Sequence, residues 1–381
     1  MQLYAFHLMP YPKIDPDVRE KYSSAWVVYP NSEYDPVLGQ RLYGEYLDQL
    51  AFADQIGFDA VVVNEHHQNA YGLMPSPNIM ASALIDRTQN AKIAILGNGI
   101  ALRDNPLRVA EEVAMLDVMS GGRVLSGFVR GIGAEYHSMG LDPTRSRSRF
   151  FEAHDLIVKA WTEPGPFSWD GENFQFRYVN VWPRPLQQPH PPIFVPSQGS
   201  AETLQWAAQH RYPLACTFVP MERLKQFYDR YRQYASEDFG YEAGPEQFGF
   251  TSIVYVHPDG EDAAAAELEP HIKYFRERAF TLPLPTFFPP GYTAAESYKT
   301  RIQIARELAA SGGPTLTAGE PLIGSPEQVG ERLERNLAAC GAGTLMAQFQ
   351  VGDMPHDKVM RSMELFGSEV IPFLSRDKVA S

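Results

Sequence analysis

The chain has few cysteines, no excess of positive charge and no long apolar run. Only Cys216 and Cys340 occur in 381 residues, which excludes a disulfide framework and a Cys-rich zinc site. The formal net charge of −13 argues against nucleic acid or an anionic membrane as a partner. No apolar stretch is long enough to span a bilayer, and the first residues lack the features of a signal peptide. These absences predict a cytoplasmic protein.

Strand-like and helix-like segments alternate along the chain. Eight apolar runs indicate parallel strands, at 3–9, 59–64, 92–102, 123–129, 193–195, 214–218, 248–256 and 344–349. Helical patterns cover 41–57, 77–87, 107–119, 148–161, 200–209, 221–235, 262–278, a segment that begins at Ser325, and 358–374. Eight strand–helix units predict an α/β fold, a (β/α)8 TIM barrel that forms one domain over residues 1–381.

Two long insertions interrupt this alternation, at about 164–192 and about 280–322. In the first, 174–176 and 178–181 alternate like a small hairpin. The second is too apolar for a linker, so we predict a lid over the barrel, with a packed surface excursion as the alternative. The apolar residues in question are Phe280, Phe287, Phe288 and Tyr292.

The strand ends carry the candidate chemistry, because a parallel barrel gathers them at one mouth. Glu65-His66-His67 follows the second strand, and we predict His66 and Glu65 as catalytic residues. A hydrogen-bonded core histidine and a buried ion pair are the plainer alternatives for them. Neighbouring strand residues point to opposite faces, so His66 and His67 are poorly placed to bind one ion. We therefore predict no metal site and rank a zinc hydrolase last.

An anion site is predicted where the fifth strand passes into a helix. Ser197-Gln198-Gly199-Ser200 offers small residues and the backbone N–H groups of a helix start, and Arg130 ends the fourth strand. Ser200 is equally suited to be an ordinary helix cap, and Arg130 to form a surface salt bridge. No G-x-G-x-x-G follows a strand, so a phosphate-bearing mononucleotide is favoured over a dinucleotide.

Motifs along nearly the whole chain resemble the bacterial luciferase-like flavin monooxygenases, of the luciferase α-subunit type. The E-H-H…F-G-L…N-P segment of that family is similar to Asn64-Glu65-His66-His67 with Tyr71-Gly72-Leu73 and Pro77. Its most specific run, H-P-x-R-x-A-E-x…L-D-x-M-S-x-G-R, resembles residues 105–123. Further similar stretches are Phe128-Val129-Arg130-Gly131, Ser200-Ala201-Glu202-Thr203, Trp206-Ala207-Ala208, Ile323-Gly324-Ser325-Pro326-Glu327, and 362–372.

The resemblance implies FMN as the cofactor, bound reduced and non-covalently at the barrel mouth. It assigns His66 as the catalytic histidine and Arg130 to the flavin phosphate, and it places 198–200 on the phosphate-binding turn. Gly97-Asn98 falls where the family has a non-proline cis peptide beneath the flavin. Val129 replaces the reactive cysteine of luciferases, which argues against light emission.

The resemblance further implies a two-component monooxygenase. A separate NAD(P)H-dependent FMN reductase supplies reduced FMN, which reacts with O2 to a C4a-peroxyflavin that oxygenates a small organic substrate. His66 would act as acid or base, while Phe218 and Phe349 exclude water. Helices near 77–88 and 107–119 would form a homodimer or heterodimer. The alternatives are a deazaflavin- or FMN-dependent oxidoreductase that does not use O2, and a non-catalytic flavoprotein.

Overall fold

Eight parallel strands close into a barrel in the computed structural model, which describes residues 1–293, 298–299, 302 and 321–376. The strands in chain order are β1 Gln2–Phe6, β2 Ala60–Val63, β3 Lys92–Gly99, β4 Val124–Val129, β5 Phe167–Asp170, β6 Gln175–Val179, β7 Ile193–Ser197, β8 Leu214–Cys216, β9 Phe248–Val256, β10 Leu322–Gly324 and β11 Thr344–Gln348. The ring runs β1-β2-β3-β4-β7-β8-β9-β11 and closes where β11 pairs with β1. The predicted TIM barrel is confirmed.

Helices follow the barrel strands as predicted. Their bounds are Val18–Lys21, Pro36–Gln55, Pro77–Ile85, Leu107–Met119, Gly133–Ser138, Ser146–Thr162, Ala201–His210, Met221–Glu237, Glu261–Tyr274, Leu284–Phe287, Pro326–Cys340, His356–Leu365 and Ile371–Ser375. Short 3-10 turns cover Asn31–Glu33, Ile100–Leu102, Pro143–Arg145 and Pro245–Gln247, and π-helical turns cover Phe275–Ala279 and Phe366–Val370. No helix within the described ranges is long and apolar enough to cross a membrane.

Local signals explain why these elements form where they do. All four residues of β2 are buried, as expected for a β-branched strand covered on both faces. The helix Pro326–Cys340 begins with a reciprocal capping pair, Ser325 and Gln328, and ends at Gly341 in the left-handed conformation, with φ of 69°.

Several bounds differ from the sequence prediction, including those of the third strand, the hairpin and the segment before the helix Pro326–Cys340. The predicted strand 92–102 ends at Gly99, and its last residues form a 3-10 turn. The hairpin pairs Phe167–Asp170 with Gln175–Val179 instead of 174–176 with 178–181. Leu322–Gly324, assigned to an irregular segment, is the strand β10 and pairs with β9 at Val254–Val256, beyond the point where β8 ends.

The most specific motif of the sequence supports the barrel wall. Arg123 donates hydrogen bonds to the carbonyl groups of Ile85 and Ala91, both at 2.9 Å, which ties β4 to the neighbouring helix end. Asp117 is fully buried and accepts from the backbone and side chain of Gln187 at 2.9 and 2.6 Å. These contacts connect the first insertion to the helix Leu107–Met119. The motif therefore stabilises the barrel wall.

Candidate active site

His66 lies just beyond β2 and is bound by a buried carboxylate. Its Nδ1 is 3.0 Å from Oε1 of Glu135, whose other oxygen accepts from the N–H of Ile132 at 2.8 Å. The Glu135 side chain is 2% exposed and that of His66 is 21% exposed. An ionised carboxylate only accepts, so Nδ1 carries the proton in neutral His66 and Nε2 keeps its lone pair. Within the described residues Nε2 has no hydrogen-bond partner.

Sequence analysis missed Glu135. It lies 69 positions from His66, on the six-residue helix Gly133–Ser138, which is too short for a periodic pattern. Its one signal is the position, five residues after Arg130 at the end of β4. β2 and β4 both pair with β3, and this order in the sheet brings the two side chains near enough to meet.

Glu65 belongs to a separate buried ion pair. Its Oε1 lies 2.7 Å from Nε2 of His67, and its Oε2 accepts from Arg103 at 2.7 Å and from the N–H of Gly99 at 3.2 Å. Burial acts to raise the pKa of Glu65, but the hydrogen bond from His67 and the charge of Arg103 outweigh it, so the pKa is lowered. Glu65 therefore orients His67 and not His66, and the ion-pair interpretation describes it best.

Gly97 and Asn98 form the end of β3 within the barrel. A β carbon on Gly97 would lie 2.5 Å from the carbonyl of Gly127, so packing of β3 against β4 requires glycine there. Asn98 is fully buried, and neither side-chain amide atom has a hydrogen-bond partner among the residues that the structure describes. The non-proline cis peptide joins Leu96 and Gly97, one bond earlier than the expected Gly97-Asn98 position.

Arg130, at the end of β4, contacts the second insertion. Its Nη1 donates to the carbonyl of Tyr292 at 2.9 Å, and the guanidinium carbon lies 3.9 Å from the centre of the Tyr292 ring. The Tyr292 hydroxyl in turn donates to the carbonyl of Gly131. Arg130 has no carboxylate partner in the described part of the chain, so a surface salt bridge does not explain it.

The predicted phosphate turn leads from β7 into the helix Ala201–His210. Ser200 caps this helix, because its Oγ accepts from the N–H of Thr203 at 3.4 Å. Ser197 is buried and accepts from the N–H of Gly199 at 3.1 Å. The cap does not exclude anion binding, since other N–H groups of the first helical turn have no partner inside the helix.

The other two residues of the turn have structural contacts of their own. Gly199 has φ of 80°, and a β carbon there would lie 2.1 Å from the ring of Phe227. Gln198 is exposed, and its Nε2 donates to the carbonyl of Thr217 at 3.2 Å. Gly199 is thus required by the backbone, while Gln198 keeps its amide oxygen available.

Aromatic rings surround His66. The centres of the Trp26 and Tyr71 rings lie 5.2 and 5.3 Å from that of His66, both edge to face. Phe275 and Phe280 lie 5.6 and 5.7 Å from Tyr71, and Phe218 lies 6.2 Å from Phe275. We call Trp26, Tyr71, Phe218, Phe275 and Phe280 the aromatic cover.

Phe349 is not part of the aromatic cover. Its ring packs 5.9 Å from Phe58 and 5.5 Å from Phe366, between the barrel and the outer helices. The predicted role of Phe349 at the mouth is therefore wrong, whereas Phe218 lies in the predicted place. Side chains after a strand alternate in direction, and the position alone did not determine which way Phe349 points.

The described beginning of the second insertion, residues 280–293, lies against the mouth. Thr281 accepts from the N–H of Ala25 at 2.6 Å through its hydroxyl, and just before it the carbonyl of Ala279 accepts from the Trp26 indole at 3.1 Å. With Tyr292 on Arg130, these contacts hold the start of the insertion at the mouth, and its role as a lid stays a prediction. The remainder of 280–322, apart from 298–299, 302 and β10, lies outside the described residues.

These residues fit FMN and offer no metal cage. The unpaired Asn98 amide provides one donor and one acceptor, which suits the alternating N–H and C=O groups of the flavin pyrimidine edge. Arg130 and the helix start after Ser200 supply the cation and N–H groups that a phosphate needs. The described residues contain no group of three His, Cys, Asp or Glu side chains arranged to bind a metal.

Comparisons with known sequences identify the family. A family described as "Luciferase-like monooxygenase" matches residues 26–343. The alkanal monooxygenase β chain of Vibrio harveyi is 29% identical over 307 residues, 80% of this chain and 86% of that protein. The oxygenase component of the flavin-dependent trigonelline monooxygenase of Acinetobacter baylyi is 27% identical over 352 residues, 89% of this chain and 92% of that protein.

Solved structures share the fold. Monooxygenase RslO1 from Streptomyces bottropensis has a TM-score of 0.73 at 23% identity, over 98% of this chain and 99% of that one. The oxygenating constituent of 3,6-diketocamphane monooxygenase from Pseudomonas putida, in complex with FMN, has a TM-score of 0.70 at 17% identity, over 98% of each chain. An F420-dependent secondary alcohol dehydrogenase reaches 0.68 at 19% identity, over 98% of each chain. With the family match over most of its length, this chain is an enzyme of the luciferase-like monooxygenase family.

Proposed function

We propose that this chain is the oxygenase of a two-component system that uses reduced FMN and O2 to oxygenate a small organic substrate. The observation that carries the proposal is the His66–Glu135 pair, with Nε2 unpartnered beneath the aromatic cover. In the balanced reaction the substrate gains one oxygen atom and the other leaves as water, while FMNH2 gives two electrons and two protons. When bound, reduced FMN supplies the electrons that activate O2.

Asn98, Arg130 and the turn 197–200 would hold the cofactor. Asn98 would bond the pyrimidine edge, and Arg130 with the N–H groups after Ser200 would bind the phosphate. Support comes from the unpaired Asn98 amide and from the structural relative determined in complex with FMN.

His66 would move the proton that oxygen chemistry requires. Its neutral Nε2 can accept a proton, and the Glu135 carboxylate stabilises the imidazolium that results. Glu135 is thus a positioning residue, and Glu65 supports the strand ends through His67 and Arg103. The aromatic cover would keep bulk water away from the reacting atoms.

The proposed partners are a separate NAD(P)H-dependent FMN reductase and a second barrel chain, all in the cytoplasm. The relative from Acinetobacter is named an oxygenase component, which supports a separate reductase. Dimerisation through Pro77–Ile85 and Leu107–Met119 is supported by apolar side chains that these helices expose to solvent. They are Ile79, Met115, Val118 and Met119, between 45% and 63% exposed.

The test supplies the enzyme with FMNH2 from a separate reductase and screens organic compounds by product mass. We expect O2 uptake coupled to products heavier by one oxygen atom. The His66→Ala variant should lose coupled oxygenation and keep its affinity for FMN, whereas His137→Ala, an exposed histidine on the helix that carries Glu135, should match the wild type. Oxygenation by His66→Ala at the wild-type rate would refute the role of His66.

The second candidate is a deazaflavin-dependent oxidoreductase that does not use O2. The structural similarity to the F420-dependent secondary alcohol dehydrogenase supports this candidate. The two cofactors separate the candidates, because a deazaflavin enzyme would bind F420 more tightly than FMN and would reduce or oxidise its substrate under argon. Binding of neither cofactor in either redox state would refute both.

A further inference from the structure

The Tyr71 hydroxyl has no hydrogen-bond partner among the described residues. The residue is only 3% exposed, and its hydroxyl is not among the fully buried polar atoms, so this oxygen keeps a small opening to solvent. Other deeply buried tyrosines each donate to a backbone carbonyl, namely Tyr46, Tyr136, Tyr228 and Tyr231. Tyrosine hydroxyls inside a protein usually have a partner, so an unpaired and accessible one beside a candidate site is suited to bind a ligand.

The surroundings of Tyr71 define what such a ligand can be. Its ring neighbours are Trp26 at 4.8 Å, His66 at 5.3 Å, and Phe275 and Phe280. The Trp26 indole N–H already donates to a backbone carbonyl. Among the side chains of these rings, Nε2 of His66 and the hydroxyl of Tyr71 are the polar atoms without a partner in the described residues.

Flat apolar walls with two open polar atoms suit a particular class of molecule. Aromatic faces bind flat rings through stacked or edge contacts. A charged group would be desolvated there without an ionic partner, because the Glu135 carboxylate is already bonded to His66 and Ile132. A hydrocarbon without an oxygen atom would leave the Tyr71 hydroxyl unbonded.

The backbone on the C-terminal side of Tyr71 is held by bonds of its own. The peptide N–H of Gly72 is bonded to Asn69 Oδ1 at 2.8 Å, and that of Leu73 to the carbonyl of Met9 at 2.8 Å. The backbone around Tyr71 is thus fixed without help from its hydroxyl.

We propose that the Tyr71 hydroxyl donates a hydrogen bond to a carbonyl or hydroxyl oxygen of the substrate, and that the substrate is an uncharged aromatic compound. This inference rests on the proposed function, since it takes the space beside His66 as the substrate site. Tyr71 then determines specificity by orienting the ring system toward His66, and it takes no part in proton transfer.

The test compares the binding of two probes of the same shape, 1-tetralone and tetralin, which differ by one carbonyl oxygen. Dissociation constants are measured by calorimetry for the wild type, Tyr71→Phe and the control Tyr178→Phe, each with and without FMN. Tyr178 is 68% exposed and lies on the hairpin away from the site. We expect the wild type to prefer the ketone over tetralin by a ratio that Tyr71→Phe reduces about tenfold and Tyr178→Phe leaves unchanged.

Each remaining outcome counts against the inference. An equal ketone-to-tetralin ratio in wild type and Tyr71→Phe would remove the hydroxyl from recognition. Weaker FMN binding by Tyr71→Phe with an unchanged ratio would assign the hydroxyl to the cofactor. Tighter binding of decanal than of either bicyclic probe, or no binding of them at millimolar concentration, would overturn the substrate class. None of these results bears on FMN binding or O2 uptake by the wild type, which decide the proposed function separately.

Discussion

Glu135→Gln changes the partner of His66 by one atom and removes its charge. The carboxylate fixes the proton of His66 on Nδ1 and stabilises the imidazolium. A glutamine can accept from Ile132 with its oxygen, and its NH2 group then faces Nδ1, which favours the tautomer with the proton on Nε2. A hydrogen bond to a charged group contributes about 1.5–3 kcal/mol, so the proton-transfer step should slow by about 10- to 150-fold.

Rapid mixing of the FMNH2-loaded enzyme with O2 and substrate measures this step, with product mass as the second readout. FMN affinity and the unfolding midpoint should stay close to the wild-type values, because Glu135 has no expected contact with the cofactor. Glu163→Gln, on an exposed glutamate at the end of the helix Ser146–Thr162, is the matched control. A rate for Glu135→Gln within about twofold of the wild type would refute the positioning role.

Three further predictions concern the cofactor, the barrel wall and pH. Arg130→Met should weaken FMN binding about 10- to 100-fold in a fluorescence titration, and an unchanged Kd would exclude Arg130 from the phosphate site. Asp117→Ala leaves Gln187 donors unpaired, so urea denaturation should show a loss of about 2–4 kcal/mol, and stability equal to wild type would contradict the structural role of the motif. Burial lowers the pKa of His7 from 6.5 to about 4, so only the unfolded chain gains this proton as pH falls from about 6.5 to about 4. The free energy of unfolding should therefore fall by up to about 3 kcal/mol over that interval, less steeply in His7→Gln, and parallel curves for the two proteins would exclude His7 as the cause.

The barrel could be predicted from the sequence because its signals are local. Runs such as Ala60–Val63 are apolar throughout, and Gly57, Gly121 and Gly341 lie just after the ends of three helices. β10 was not predicted because a strand of three residues is too short to show a periodic pattern. Its partner residues Val254–Val256 are also more than sixty positions away in the sequence. The hairpin was displaced for a related reason, since its register is fixed by cross-strand contacts such as Trp169 with Phe176.

The site was predicted in part. Position at a strand end identified His66, and the fold then placed it among aromatic rings. Its partner Glu135 could not be predicted, because no local pattern links residues on different strands. Conversely, the motif with the most specific match, which includes Asp117 and Arg123, serves the packing of the barrel wall. The motif most specific to the family thus lies in the barrel wall and not among the candidate catalytic residues.

The strand β10 has a consequence for the length of the second insertion. After β9 the chain passes through the helix Glu261–Tyr274 into the second insertion. It returns as β10, which pairs with Val254–Val256 at the end of β9. Both ends of the second insertion are therefore connected to the same strand, and the pairing with β9 sets the register of β10. Residues can be added or lost between these two points while the pairing of β9 with β11 stays as it is, so the insertion can change in length without any rebuilding of the barrel.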